Sequence, residues 1–361
     1  MIRKIVPLLL SLLVARQTQA QETFPVNGVA DKRDNCYAFT NATIVKESGN
    51  VLANATLVVR DGKIVAVGTQ GVAIPKDAVV IDCKDKFIYP SFIDIYTDYG
   101  IPGSQRDPAA LRAAFNFNAP SQITSNTKGA YGWNQAIRPE TEAARLFVVD
   151  DAKAKVWREL GFGTVLTHQK DGIARGAGSV VTLANEKESS VIIKERASAH
   201  YSFNKGSSMQ SYPSSIMGSI ALLRQTYLDA QWYKNNAAKE GLNHSLKAWN
   251  ELQGLPQVFE AEDKWNDVRA AKIAAEFGVK YIIKGGGNEY QRIADIAALQ
   301  SPMIVSLNFP AAMDVEDPID ARAVSIADMK HWEMAPGNPA ALEKAGINFE
   351  LLILRLGLST K

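Results

Sequence analysis

The hydrophobic pattern of the chain has two rhythms. Over residues 36–88, short β-rich runs alternate with turn signals: "YAFTNATIV", "ATLVVRDGKIVAVG" and "AVVIDCKDKFIY" are set off by Ser48-Gly49-Asn50, Asp61-Gly62 and Pro75-Lys76-Asp77. Such runs read as strands, because β-branched and aromatic side chains fit a pleated surface while Gly, Asn, Asp and Pro suit turns. In "VVRDGKIVAV" an Asp-Gly pair between two apolar segments predicts a tight hairpin. A small antiparallel sheet is the expected outcome, and the Asn-Ala-Thr triplets at Asn41 and Asn54 fit its edges and turns.

From Tyr89 onward the period lengthens. "SFIDIYT" reads as a short apolar strand, and 101–140 is a polar, loop-like insert containing "FNFNAPSQITSNTKGAYGWNQ". A helix over about 141–160 leads into the strand "GFGTVLTH". A second, long helix starts near Pro213, with Ile216, Ile220, Leu223, Tyr227 and Leu228 on one stripe. Strand "PQVFEA", helix "KWNDVRAAKIAAEFG" with Gly278 as its stop, strand "KYIIKG", helix "EYQRIADIAALQ" and strand "MIVSLNF" then follow in turn. Repeated βα units imply a parallel sheet with helices outside, and so long a run favours a (β/α)8 barrel.

The first twenty residues differ in kind. Arg3 and Lys4 precede the apolar run Ile5 to Val14, and small residues surround Ala20, the layout of a cleaved export signal. The run is too short to span a bilayer, so no membrane association is expected once it is removed. Cleavage removes Arg3, Lys4 and Arg16 and shifts the formal charge from +2 to −1. No basic block runs along the chain, which argues against nucleic acid as a partner. Cys36 and Cys83 are too few for a cysteine zinc site; they either pair in an oxidising compartment or stay as separate buried thiols.

A β-rich 36–88, then "YPSFID", then βα units: this resembles the amidohydrolase superfamily, in its imidazolonepropionase-like, secreted branch. The likeness is strong over 36–99 and moderate to about Phe349. It implies an α/β architecture, an incomplete TIM-like (β/α)8 barrel preceded by a small composite N-terminal β-sandwich. The segments would be 1–20 signal peptide, 21–88 N-terminal part of the sandwich and 89–361 barrel. It also implies hydrolysis of non-peptide C–N bonds with zinc or another divalent metal, which lowers the pKa of bound water and polarises the scissile carbonyl.

The family's ligands can be sought residue by residue. The His-x-His pair after the first barrel strand corresponds to Tyr96 and Asp98, which the two-residue period of a strand would point inward together. A later strand-end histidine corresponds to Glu260, and the next to Gly285. The closing aspartate should follow "GINF", but the chain reads "ELLILRLGLSTK" and ends, as a truncated or frame-shifted reading frame or a true last strand would. His168, in "VLTHQKDG", stands at a strand end as a Thr-His does in relatives; a histidine bonding loop backbone is the plainer reading. His200, His244 and His331 carry no local motif. Asp94, Asp98 and Glu260 have the chemistry for Mg²⁺ or Ca²⁺, though Asp94 belongs to the strand-end motif for structural reasons. "GIARGAG" could cradle an anion, but no helix opens after it as a phosphate loop requires; "IIKGGGNE" does precede a helix and could hold an anion there or simply let the chain turn tightly.

The reading that follows is a metal-free, catalytically degenerate unit with no cofactor of its own, exported to the periplasm or beyond. A downstream catalytic amidohydrolase region is its expected partner. The alternatives are an active hydrolase on the substituted ligands Asp98, Glu260 and His168, or a module binding a small ligand in the empty barrel mouth. The export signal is tested on its own: in a Gram-negative host, mass spectrometry of exported chain should find Gln21 as the N-terminus. Exported protein that keeps residues 1–20 would contradict it.

Overall fold

The computed structural model describes residues 35–104, 122 and 124–352; the signal-like 1–20 and the final residues 353–361 of the apolar tail lie outside them. The chain divides into two units, the first ending at Pro90 and the second starting at Ser91.

In the first unit, β1 (Cys36–Glu47), β2 (Asn50–Arg60), β3 (Lys63–Gly68), β4 (Val79–Asp82) and β5 (Phe87–Ile88) form one sheet in the order β3-β2-β1-β4, with β5 also on β1. The Asp-Gly hairpin forms as expected: Asp61 and Gly62 both take positive φ, 50° and 71°, and Arg60 pairs with Lys63. Two left-handed residues match the twist of the flanking strands. The sheet is mixed, correcting the antiparallel expectation, because β4 and β5 return alongside β1 in its own direction. A second layer that would make a sandwich is not seen among the described residues.

Asn41, at φ 59°, sits where β1 gains one residue on β2. Such a bulge shifts the alternation by one, so Ala42 packs with Phe39 while Ala38 packs with Cys36 and Val58. Cys83 belongs to the Ala42 cluster and Cys36 to the other, on opposite faces of β1. Both thiols are free and buried.

The second unit carries β6 (Phe92–Thr97), β7 (Phe162–Thr167), β8 (Ala174–Thr182), β9 (Ile192–Ser202), β10 (Gln257–Glu260), β11 (Tyr281–Lys284), β12 (Met303–Ser306) and β13 (Phe349–Leu352), hydrogen-bonded in chain order. From β9 to β13 every pairing is parallel. β8 runs antiparallel to both its neighbours, so the sheet is mixed where an all-parallel barrel was expected. Antiparallel neighbours need no helical crossover, and the hairpin of β8 and β9 replaces a βα unit. The order has two ends, β6 and β13, and no closed barrel is seen. The sheet nevertheless curls, since Tyr96 of β6 and Leu352 of β13 share an apolar cluster with Val258 and Ile304.

Helices α1 (Asp151–Glu159), α2 (Ile216–Glu240), α3 (His244–Leu252), α4 (Lys264–Glu276) and α5 (Ile293–Ala298) accompany the strands. The helix expected over 141–160 is broken, because the Asp150 carboxylate accepts the Lys153 N–H and starts α1 afresh. Asp263 caps α4 by accepting from the N–H groups of Trp265 and Asn266, and Gly278 at φ 68° follows its end. Alternation along the strands then sorts the side chains. Phe259, Tyr281 and Ile283 pack outward on Leu222, Leu223, Trp249 and Ile273 of the helices. Val258 and Ile282 face inward, and so by the same period do Glu260 and Lys284.

Asp267 of α4 is fully buried, and neither carboxylate oxygen has a hydrogen-bond partner among the described residues. Burial, with Glu289 and Asp263 nearby, pushes it up to about 8. The folded state therefore binds a proton that the unfolded chain releases, so stability falls as pH rises from the ordinary aspartate range to about 8. An Asp267→Asn variant should lose that dependence and melt above the parent at alkaline pH; thermal melts across the range check it, and parallel curves would contradict it.

Candidate functional site

The inward face at the C-terminal ends of β6, β7, β9, β10 and β11 gathers charged and aromatic groups. Tyr96 is buried near the end of β6, where the Asp94 carboxylate accepts its backbone N–H at 2.8 Å. His168 follows β7 directly; its N–H donates to the Thr97 carbonyl at 3.0 Å. Its ring stacks on that of His200 in β9, 3.6 Å between centroids and 8° from parallel, and lies 4.5 Å from the Tyr96 ring. A Cβ on Gly178 of β8 would stand 2.6 Å from His200 Nε2, so this glycine makes the room for the imidazole.

Arg175, in β8, ties the group together. Its Nη1 donates to the Tyr96 hydroxyl at 3.1 Å and to Glu260 Oε2 at 2.8 Å, and its Nε donates to the Gly172 carbonyl at 3.0 Å. Lys284 Nζ lies 3.4 Å from Glu260 Oε1 and 5.8 Å from the Tyr96 ring centroid. The guanidinium is almost wholly buried, with 4% of the side chain exposed, and a charge so placed needs this pairing to stay.

The electrostatics follow. Burial works to raise Glu260, but Arg175 and Lys284 outweigh it and hold the carboxylate at about 2. Burial and the Arg175 charge press His200 down to about 3, and burial with His200 beside it sends His168 well below the usual range. Both imidazoles are neutral near pH 7, and burial raises the Tyr96 hydroxyl. None of these groups is poised for proton transfer near neutrality, where a general acid or base works best.

Of the five positions singled out in the sequence, three meet here: Tyr96, Glu260 and His168. Asp98 does not, correcting the expectation that it points inward with Tyr96. β6 ends at Thr97, whose hydroxyl oxygen accepts the Tyr99 N–H, and Asp98 turns out to solvent, 3.4 Å from Lys170 Nζ. Gly285 contributes no side chain, and a Cβ there would stand 2.2 Å from Glu289 Oε1. That carboxylate also accepts the Gly287 N–H at 2.9 Å, so the "KGGGNE" loop wraps an internal anion. The His168 ring nitrogens bond neither loop backbone nor any other group among the described residues. Sequence reasoning passed over Arg175, His200 and Lys284. Arg175 lies within "GIARGAG", whose glycines suggest an anion cradle rather than a strand, and His200 within "RASAHYS", whose alternation is the signal of its strand.

Among the described residues, no three His, Cys, Asp or Glu side chains are grouped so as to hold a metal ion. Glu260 is spoken for by two cations, and His200 Nε2 bonds Ser198 Oγ at 2.7 Å.

No protein-family model and no curated protein matches the chain. Among solved structures, an amidohydrolase from Thermotoga maritima MSB8 is similar over 89% of this chain and 79% of its own, at 19% identity and a TM-score of 0.62. The chain has an amidohydrolase fold. A D-hydantoinase, at 14% identity over 88% of this chain and 68% of its own, is a far looser likeness with a TM-score of 0.42.

If Arg175 holds this centre together, Arg175→Met should lower the unfolding free energy by about 3–5 kcal/mol, since it breaks a buried ion pair and leaves Glu260 with Lys284 alone. Adding Glu260→Gln should recover part of that loss. Denaturant titration reads both, and a loss for Arg175→Met within about 1 kcal/mol, as at an exposed ion pair, would contradict the assignment.

Proposed function

We propose that this chain is a metal-free, catalytically degenerate member of the amidohydrolase superfamily, of the imidazolonepropionase-like kind. The observation that carries the reading is the Arg175 guanidinium lying between Tyr96 and Glu260, two positions that match metal ligands in the resemblance. An organic cation there satisfies the carboxylate that a metal would need and repels a divalent ion. The third matching position, Asp98, is turned away on Lys170, and the fourth, Gly285, has no donor. Without a metal-activated water and with no base poised near neutrality, the chain alone hydrolyses none of the family's C–N substrates.

The export-type pattern of residues 1–20 supports a periplasmic or secreted location for this unit. A degenerate unit is useful beside an active one, so we place its role within a larger hydrolase, with a second amidohydrolase-type region supplying the metal centre.

The test is an activity screen on hydantoin, dihydropyrimidine and dipeptide substrates in added Zn²⁺ and Mn²⁺. The chain should show no turnover above buffer with metal. Metal-dependent turnover abolished by Asp98→Ala with Glu260→Ala would replace this reading with an active hydrolase on substituted ligands.

A further inference from the structure

Away from the Arg175 centre, the second unit holds a cavity of about 250 Å³ between 131–137, α2 and the start of α3. Ile137, Leu222 of α2 and Leu246 of α3 give it an apolar wall. The volume lies just below the usual range of small-molecule sites, about 300–1,000 Å³, and suits a compact guest.

Most of the polar side chains that line it are already engaged. Asn134 donates from Nδ2 to the Tyr212 carbonyl and accepts the Ala136 N–H at Oδ1, both at 2.9 Å. The Thr226 hydroxyl donates to the Leu222 carbonyl at 2.8 Å, and Ser245 Oγ accepts the Gly132 N–H at 2.9 Å. Asn243 Oδ1 accepts the Leu246 N–H at 3.0 Å. These bonds set the walls before anything enters.

Asp229 of α2 is the exception. It is the one charged residue lining the cavity, and it is only part-buried. Gln225 donates to its Oδ1 at 2.6 Å, and the carboxylate makes no ion pair among the described residues. In the same cavity stand two aromatic side chains that keep much of their surface, Tyr131 at 41% and Trp133 at 44% exposure. Neither hangs loose. The Trp133 ring stacks on Tyr212, 6.1 Å between centroids and 17° from parallel, and Tyr131 leans on His244 at 5.3 Å.

Open aromatic surface together with an unmatched carboxylate is the chemistry that holds an organic cation. Ring faces attract positive charge through their quadrupole, the carboxylate supplies the countercharge, and the apolar wall takes the alkyl groups. An anion would meet Asp229 with no cation in the lining to offset it, and a neutral guest would leave the carboxylate unmatched. We propose that this cavity binds a small organic ammonium ion, its charge shared between Asp229 and the Tyr131 and Trp133 rings. The site is separate from the Arg175 centre and does not depend on whether a metal ever binds there.

Isothermal titration calorimetry of the full chain with tetramethylammonium, choline and isobutylammonium chlorides tests it. Dimethylbutanol, the uncharged shape-analogue of choline, and isobutyrate are the comparators. At least one ammonium probe should bind with a dissociation constant of about 1 mM or tighter, and both comparators at least about tenfold more weakly. Asp229→Asn keeps an acceptor for Gln225 and should weaken the best probe at least about tenfold with the melting temperature unchanged. Trp133→Leu should weaken it at least about threefold. If Asp229→Asn fails to fold, Trp133→Leu decides alone. No binding by any ammonium probe, equal binding of either comparator, or unchanged affinity in either folded variant would overturn the proposal.

Discussion

A guanidinium buried on the inner face of a sheet has to be neutralised and hydrogen-bonded where it lies, and much of the second unit follows from that need. Arg175 reaches Glu260 on one side and Tyr96 on the other, with its Nε on the Gly172 carbonyl. Each partner comes from a different stretch of chain, so one charged group pins β6, β8 and β10 to a common register. Lys284 completes the charge balance on Glu260 from β11. Burial, with the Arg175 charge beside it, keeps the neighbouring imidazoles neutral, and they stack on one another.

This centre connects to the turn that precedes β8. Asp171 holds Arg138 and Ser207, while its neighbour Gly172 accepts from both Arg175 Nε and Ser202 Oγ. A Cβ on Gly206 would stand 1.9 Å from Asp171 Oδ1, so only glycine lets that chain pass at this point. The polar core of the sheet and the Arg138–Asp171 pair thus meet at one turn, and the strand ends that gather there hold an ion-pair lattice of Arg175, Glu260 and Lys284.

Much of this was legible in the sequence, for reasons that can be named. The hairpin at Asp61-Gly62, the strands ending at Thr97 and Glu260, and the α4 helix each announce themselves through local turn chemistry or periodicity. Tyr96, Asp98, Glu260 and Gly285 are the positions that the resemblance sets against the family's histidines. What was not legible depends on contacts between segments far apart in the chain. β8 lies in "ARGAGSVVT", whose glycines hide the strand, yet Gly176 and Gly178 are small because Thr141 and His200 crowd them. The role of Arg175 appears only once β6, β8 and β10 are side by side. The outward turn of Asp98 follows from its place just past the end of β6 at Thr97, where the two-residue period no longer holds.

The central claim is that a side-chain cation stands between the positions where the resemblance would put a metal. A crystal structure of the chain grown in millimolar Zn²⁺, with anomalous difference maps on both sides of the zinc absorption edge, tests it most directly. The account predicts Arg175 bonded to Tyr96 and Glu260 and no anomalous peak within coordination distance of Glu260. A peak there, with the guanidinium swung aside and Glu260 or His168 as a ligand, would contradict it.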